Sequence, residues 1–338
     1  MNVLKFTEML NMKFKYILAL ALAVLALCGL VACKEDQPQP QIQYFDVSFD
    51  SQGGSAVRQI RVQEGALANR PADPTREGYV FDGWKLGNRK WDFETDKVTA
   101  DITLSATWIS AESIYAISKI GDTDTCMITD IKRKSAKLQI PEVINGYKVV
   151  AIADGVFRGT LESDVSEIIL PSTVTSIGSY AFYECRGISI TVKGALTYVG
   201  EFAFGDCDGL TSLNFGEGLT EIPFGAFSGC TALREIRLPA SLLTVCENAF
   251  EECATLTTVM MYASVKSIED CAFRFCDNLK AVYFYGTNED FDAIEIVKNG
   301  NGGILDADLY LYSATKPQEN GDNAQYWYLD EKGKVRLW

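Results

Sequence analysis

Histidine is absent from all 338 residues. That absence removes Ser-His-Asp and Cys-His catalysis, His-ligated zinc and histidine-based pH switching together. Positive charge is scarce as well: 31 Lys and Arg stand against 45 Asp and Glu, a formal charge of −14. Residues 1–32 hold Lys5, Lys13, Lys15 and Glu8, net +2, so the remainder carries −16. A phosphate-tracking protein needs a basic face to release counterions, so nucleic acid is set aside as a partner. No Cys-x-x-Cys pair occurs, which denies a thiolate zinc site its usual spacing. Neither metal nor cofactor is expected. What remains, 47% apolar and 22% charged over a length sufficient for two domains, is ordinary globular composition.

The amino terminus reads as an export signal. Met12–Ala32 is two lysines and an apolar run ending in small residues before Cys33, and the run Tyr16–Cys28 is shorter than the about 20 residues that span a bilayer. Leu30-Val31-Ala32-Cys33 resembles the bacterial lipobox, which implies a signal peptide over 1–32 and lipid on Cys33. The polar, proline-spaced stretch that follows, 33–42, is a tether unable to build a core. Lys34-Glu35-Asp36 resembles the export signal of Bacteroidota lipoproteins, implying the outer face of the outer membrane, with membrane contact through the lipid only.

Residues 43–110 form a first module. Tyr44–Phe49 and Ala56–Val62 are β-rich runs around the turn signal DSQGGS and predict a hairpin. Gly78 to Trp84 alternates aromatics at strand period, and Trp91, Phe93, Leu104 and Trp108 extend the apolar set. Trp84 offers a sugar-stacking platform in principle, but its place in an alternating run assigns it to a core. The pieces VSFDSQGG (47–54), Pro71–Pro74, EGYVFDGW (77–84) and ADITLSATW (100–108) closely resemble the Listeria-Bacteroides, or internalin B-type, repeat. The resemblance implies a small β-grasp-like spacer of bacterial surface proteins.

From residue 150 the chain repeats. Phe157, Phe182, Phe204, Phe227, Phe250 and Phe273 recur at spacings of 25, 22, 23, 23 and 23. Ile152, Ile177, Val199, Ile222, Val245 and Ile268 stand five residues before them; Thr160, Cys185, Cys207, Cys230, Cys253 and Cys276 stand three after. Nine and eleven residues after the phenylalanine come Leu213 and Phe215, Ile236 and Leu238, Val259 and Met261, Val282 and Phe284. Alternation at period two predicts one short strand per repeat with two inward side chains. A 23-residue unit cannot bury such a set alone, so stacked coils share a continuous core. The motif at Leu170–Cys185 resembles the BspA-type leucine-rich repeat, with an opening hairpin at Ile114–Ile131 and a carboxyl-terminal cap; the resemblance covers 111–338. The fold class is therefore mainly β with short helical or irregular segments: a small domain followed by a leucine-rich solenoid.

Cys185, Cys207, Cys230, Cys253 and Cys276 fall on successive coils, about 5 Å apart if sheet spacing applies. That separation permits disulfides, but side chains in a ladder point in parallel and five is odd. Buried structural thiols are the favoured reading.

The family resemblance implies adhesion to proteins of a host or of other cells. Positions ten and twelve of each coil face outward if nine and eleven face inward. They turn from polar to aromatic along the chain, which makes Arg237, Met260, Tyr262, Tyr283 and Tyr285 a candidate partner-binding patch. Two alternatives stay open there: an exposed patch, or burial beneath the extension that carries Tyr326, Trp327 and Tyr328. Two rival functions are a glycan-binding accessory lipoprotein and a hydrolase using Glu251-Glu252 or Glu289-Asp290, although adjacent acids on a turn are usually solvated.

Overall fold

The computed structural model describes residues 42–159, 165–317 and 324–338; the leader, Cys33 and Thr160 lie outside them. The chain sorts into two compact units that interleave in sequence.

The first takes the described residues up to Val47 together with Gln59–Asn69 and Phe93–Ile102. Here the expected hairpin forms, Tyr44 opposite Gln63 and Val47 opposite Ile60, although the second strand begins only at Ile60. Alternation turns Val47 and Val62 inward, and Val98 joins them, tied by the bonds Gly65 N to Val98 O (2.8 Å) and Val98 N to Ala66 O (2.9 Å).

The second unit takes Ser48–Arg58, Arg70–Asp92 and Thr103–Trp338. In its amino-terminal part Tyr79–Leu86 runs antiparallel to the strand that ends at Ser110, with a register shift at Gly83, whose φ of 135° suits glycine. Trp84 is 2% exposed and takes the ring edges of Phe49 and Phe81 at 4.9 and 5.4 Å, which makes it core and removes it as a sugar platform.

Beyond the hairpin Tyr115–Lys119 and Thr125–Ile131 the coils stack in parallel register. Each regular coil contributes two strands where the sequence predicts one. The expected strand appears as Glu235–Arg237, Thr258–Tyr262 and Ala281–Tyr285, with Ile236, Val259 and Val282 aligned and buried. A second, two-residue strand holds the apolar residue five before the phenylalanine: Ile222, Val245 and Ile268 align in one row, Ile152, Ile177 and Val199 in another. Two residues give no readable period, so pattern alone could not find it.

Between the strand rows runs a column of rings. Phe157, Phe182, Phe204, Phe227, Phe250 and Phe273 are fully buried and stack at 4.7, 5.1, 5.4, 5.4 and 5.3 Å, all within 16° of parallel. Backbone rungs join them: Phe204 N donates to Ala226 O (2.8 Å), Phe227 N to Ala249 O (2.9 Å) and Phe250 N to Ala272 O (2.8 Å). The cysteines form a second column. Each thiol donates to the phenylalanine carbonyl of the preceding coil, Cys185 to Phe157, Cys230 to Phe204 and Cys253 to Phe227 at 3.2 Å, Cys207 to Phe182 at 2.9 Å, Cys276 to Phe250 at 3.1 Å. All are free and buried. Burial raises the Cys230 thiol far above its ordinary pKa. A small residue with one donor suits this position; a larger one would collide with the next coil.

Every coil turns through two left-handed corners, one before the Ala-Phe pair and one before the cysteine. Gly225, Gly229 and Asn248 adopt that conformation readily, but Tyr180 (φ 57°) and Phe202 (φ 50°) also hold it. The column ends at Asn301, fully buried, whose Oδ1 accepts from Phe273 N (2.9 Å) while its amide donates to Glu269 O and Val297 O (2.7 Å each). Asp308–Tyr312 and Gln325–Leu329 then add parallel strands to the long-strand sheet, and Val335–Leu337 closes it antiparallel.

Candidate functional site

The outward face of the long-strand sheet carries the predicted patch in two lateral rows. Register places Arg237, Met260, Tyr283 and Tyr310 side by side in one; Tyr262 and Tyr285 lie side by side in the next. Arg237 is exposed, and the tyrosines of the candidate set are half-buried. Met260 is only 4% exposed between Arg237 and Tyr283 in the same row, so it offers little surface for a contact. Tyr262 and Tyr285 stack at 4.3 Å and 6°, and Tyr312 continues from Tyr285 at 4.7 Å. Burial, with the hydroxyls of Tyr262 and Tyr312 beside it and Arg237 opposing them, pushes the Tyr285 phenol up to about 12.

The extension lies beside the tyrosines and continues their sheet. Of Tyr326, Trp327 and Tyr328, it is Trp327 that packs on them, fully buried, at 5.5 Å from Tyr283, 4.7 Å from Tyr285 and 5.1 Å from Tyr312. Its indole N–H donates to Phe284 O at 3.4 Å. Tyr328 stacks instead on Trp338 at 4.1 Å, and Tyr326 pairs in register with Leu311. Trp327 thus covers part of Tyr283 and Tyr285, and the row through Tyr262 keeps its half-exposed edge.

A second aromatic group was not singled out from the sequence. Tyr180 stacks on Phe202 at 5.3 Å, Phe224 meets Phe202 edge-on at 5.0 Å, and Arg158 lies over Tyr180 and Tyr183 at 5.4 Å each. Two of these aromatics occupy the strained corners described above. An aromatic residue just before Ala-Phe, where other coils use Gly, Asn or Cys, is the signal that could have revealed the group.

One member of each acidic pair weighed for hydrolysis has another partner. Glu251 lies 3.5 Å from Arg274. Asp290 accepts from the backbone N–H of Thr287 in a capping box at the start of Asn288–Asp292, and those hydrogen bonds hold its carboxyl below the usual range. Among the described residues no cluster of three acidic or cysteine side chains is placed to hold a metal ion.

The description of a BspA type leucine rich repeat region, in six copies, matches residues 139–291, and that of the Listeria-Bacteroides repeat domain matches residues 45–107. Internalin H of Listeria monocytogenes is 46% identical over 74 residues, 20% of this chain and 13% of that protein. The chain spans 9 to 13% of the length of the curated relatives it matches. Among solved structures, a leucine-rich repeat protein of T. pallidum is 28% identical with a TM-score of 0.44, covering 51% of this chain and 83% of that one. A leucine-rich cell surface protein of Faecalibacterium prausnitzii is 24% identical with a TM-score of 0.47, covering 66% and 59%. Phenylalanine column, thiol column and paired strand rows are the internal anatomy of those six copies, so the chain carries a BspA type leucine rich repeat region over 139–291 and, ahead of it, a Listeria-Bacteroides repeat domain over 45–107.

Proposed function

We propose that this chain is a surface lipoprotein, anchored in the outer membrane through lipid on Cys33, whose repeats act as a non-catalytic adhesion module for proteins of a host or of neighbouring microbes. The domain limits 43–110 and 111–338 belong to the same proposal. The observation that carries it is the tyrosine row beside Arg237: amphipathic rings held rigid by stacking, with an arginine next to them, have the composition of interface hot spots. Because ring faces are occupied by neighbours at 4.3 and 4.7 Å, the row presents edges and hydroxyls, which suits a protein surface better than a stacked sugar.

The test is a pull-down of extracellular host proteins by residues 34–338, comparing the unaltered fragment with an Arg237→Ala, Tyr262→Ala double variant. A captured protein lost with the variant, while the fragment stays folded, supports the reading; capture undiminished by the variant sinks this face. A Tyr283→Ala, Tyr285→Ala variant separates contact from packing: lost stability with retained affinity assigns those two rings to the contact with Trp327. Labelling with a palmitate analogue tests the anchor, since a Cys33→Ala chain that still labels would overturn it.

A further inference from the structure

Within the second compact unit lies an open cleft of about 400 Å³, in the size range of small-ligand sites. One wall is the turn and strand carrying Arg76, Tyr79 and Trp108. The other follows the carboxyl ends of three parallel strands, Lys137–Gln139, Glu167–Leu170 and Ser189–Val192, and presents Glu142, Ser172 and Lys193. The walls are fixed to each other. Gly78 N donates to Val143 O at 3.2 Å, and Lys137 Nζ meets Asp73 at 3.0 Å. Burial would raise the Asp73 carboxyl, but hydrogen bonds and charge from Arg70 and Lys137 outweigh it and hold the group ionised below its usual range.

Arg76, like Arg158, is held by aromatic rings and has no acid paired to it among the described residues. Arg70, Lys137, Arg186, Arg274 and Arg336 each pair with an acid, whereas among the described residues no carboxylate pairs with Arg76. Its guanidinium is held instead by two rings, 4.0 Å over Tyr79 and 6.0 Å from Trp108. The indole is itself locked, its N–H donating to Ser51 O at 2.9 Å, and a Cβ at Gly54 would strike it at 2.5 Å. A preorganised arginine fork without a protein partner is matched to a planar carboxylate. Around it the cleft offers both senses of hydrogen bond. Glu142 accepts from the Ser172 hydroxyl at 2.8 Å and has further lone pairs, Lys193 donates, and Tyr79 is 37% exposed. A ring of hydroxyls needs such a mixture of donors and acceptors. Two cations and two carboxylates leave the lining formally neutral on a chain of charge −14, so the lining itself adds no net repulsion of an anion.

We propose that this cleft binds a carboxylated sugar, with Arg76 engaging the carboxylate and Glu142, Ser172 and Lys193 the ring hydroxyls. The proposal is independent of the adhesion face on the long-strand sheet.

The test titrates the full chain with three probes by calorimetry: tetragalacturonate, its methyl ester, which keeps the shape and loses the charge, and tetraglutamate, which keeps the charge and loses the sugar. Tetragalacturonate should bind with a preference over the ester of about tenfold to a hundredfold, the scale of one charge-assisted hydrogen bond. Arg76→Ala should abolish that preference. Overturning results are no saturable binding of tetragalacturonate, equal binding of the ester, or tetraglutamate binding as tightly as the sugar. Should Arg76→Ala fail to fold, the probes on the unaltered chain still decide, and Lys193→Ala, whose side chain is exposed, must weaken tetragalacturonate binding.

Discussion

The phenylalanine column and the tyrosine row are built alike and constrained differently. Both stack rings from neighbouring coils, at 4.7 to 5.4 Å inside and 4.3 to 4.7 Å outside. Inside, six coils use the same residue; outside, the corresponding positions run from Asn214 through Arg237 and Met260 to Tyr283. Inside, each ring fills a volume closed on every side, so one shape satisfies every coil. On the outer face neighbours close a position on some sides only, and identity is free to follow other demands. Variation between coils is thus concentrated on the outer face.

The comparison breaks first at its core. Phe227→Ala should cost about 3 to 5 kcal/mol, because neighbours at 5.4 Å on both sides cannot close over the gap, and urea denaturation will measure it. Cys230→Ala should cost on the order of 1 to 2 kcal/mol, a small cavity plus the loss of one of the two donors to the Phe204 carbonyl, which keeps Cys207 N at 3.2 Å. Cys230→Ser restores a donor and should recover part of that loss in the same assay. Tyr262→Ala, at the half-exposed end of the outer row, should cost roughly 1 kcal/mol or less. A loss as large as that of Phe227 would show that the outer row is structural after all.

Thiol chemistry sharpens the contrast without changing stability. Iodoacetamide should leave the column cysteines untouched in the folded protein and modify all five after denaturation without reductant; failure to react then would mean they are bridged. Cys246 lies outside the column and is half-buried. Burial, followed by Glu269, Glu221 and Glu201, pushes its thiol up to about 11, so its alkylation should be slow at neutral pH and quicken as pH rises toward that value. Mass spectrometry after timed labelling reads both results.

The inner residues were legible because burial repeats them: Phe, Ile and Cys at constant offsets identify the coil, and the inward pairs from Ile236 to Phe284 are buried as alternation predicts. The second strand row was not legible, since two residues such as Ser267 and Ile268 carry no period. Nor was the burial of Met260, because alternation assigns a side and leaves lateral neighbours unspecified; Arg237 and Tyr283 flank it in register. The cleft was invisible for a related reason. Arg76 and Lys193 are separated by more than a hundred residues, and only the folded second unit brings them to one cavity.

Asn301 gives the array an end. Elsewhere the phenylalanine N–H is met by the alanine carbonyl of the coil ahead, so every coil exposes the same unsatisfied groups to its successor and invites another copy. At Phe273 the side-chain carbonyl of Asn301 imitates the backbone of a coil that never comes, and its amide occupies two further carbonyls. A duplicated repeat can therefore be inherited anywhere upstream and keep its rungs, whereas one appended after Asn301 would find the Phe273 N–H donor already taken. Lengthening by duplication is thus favoured within the array, upstream of the closing strands that carry Tyr283, Tyr285 and Trp327.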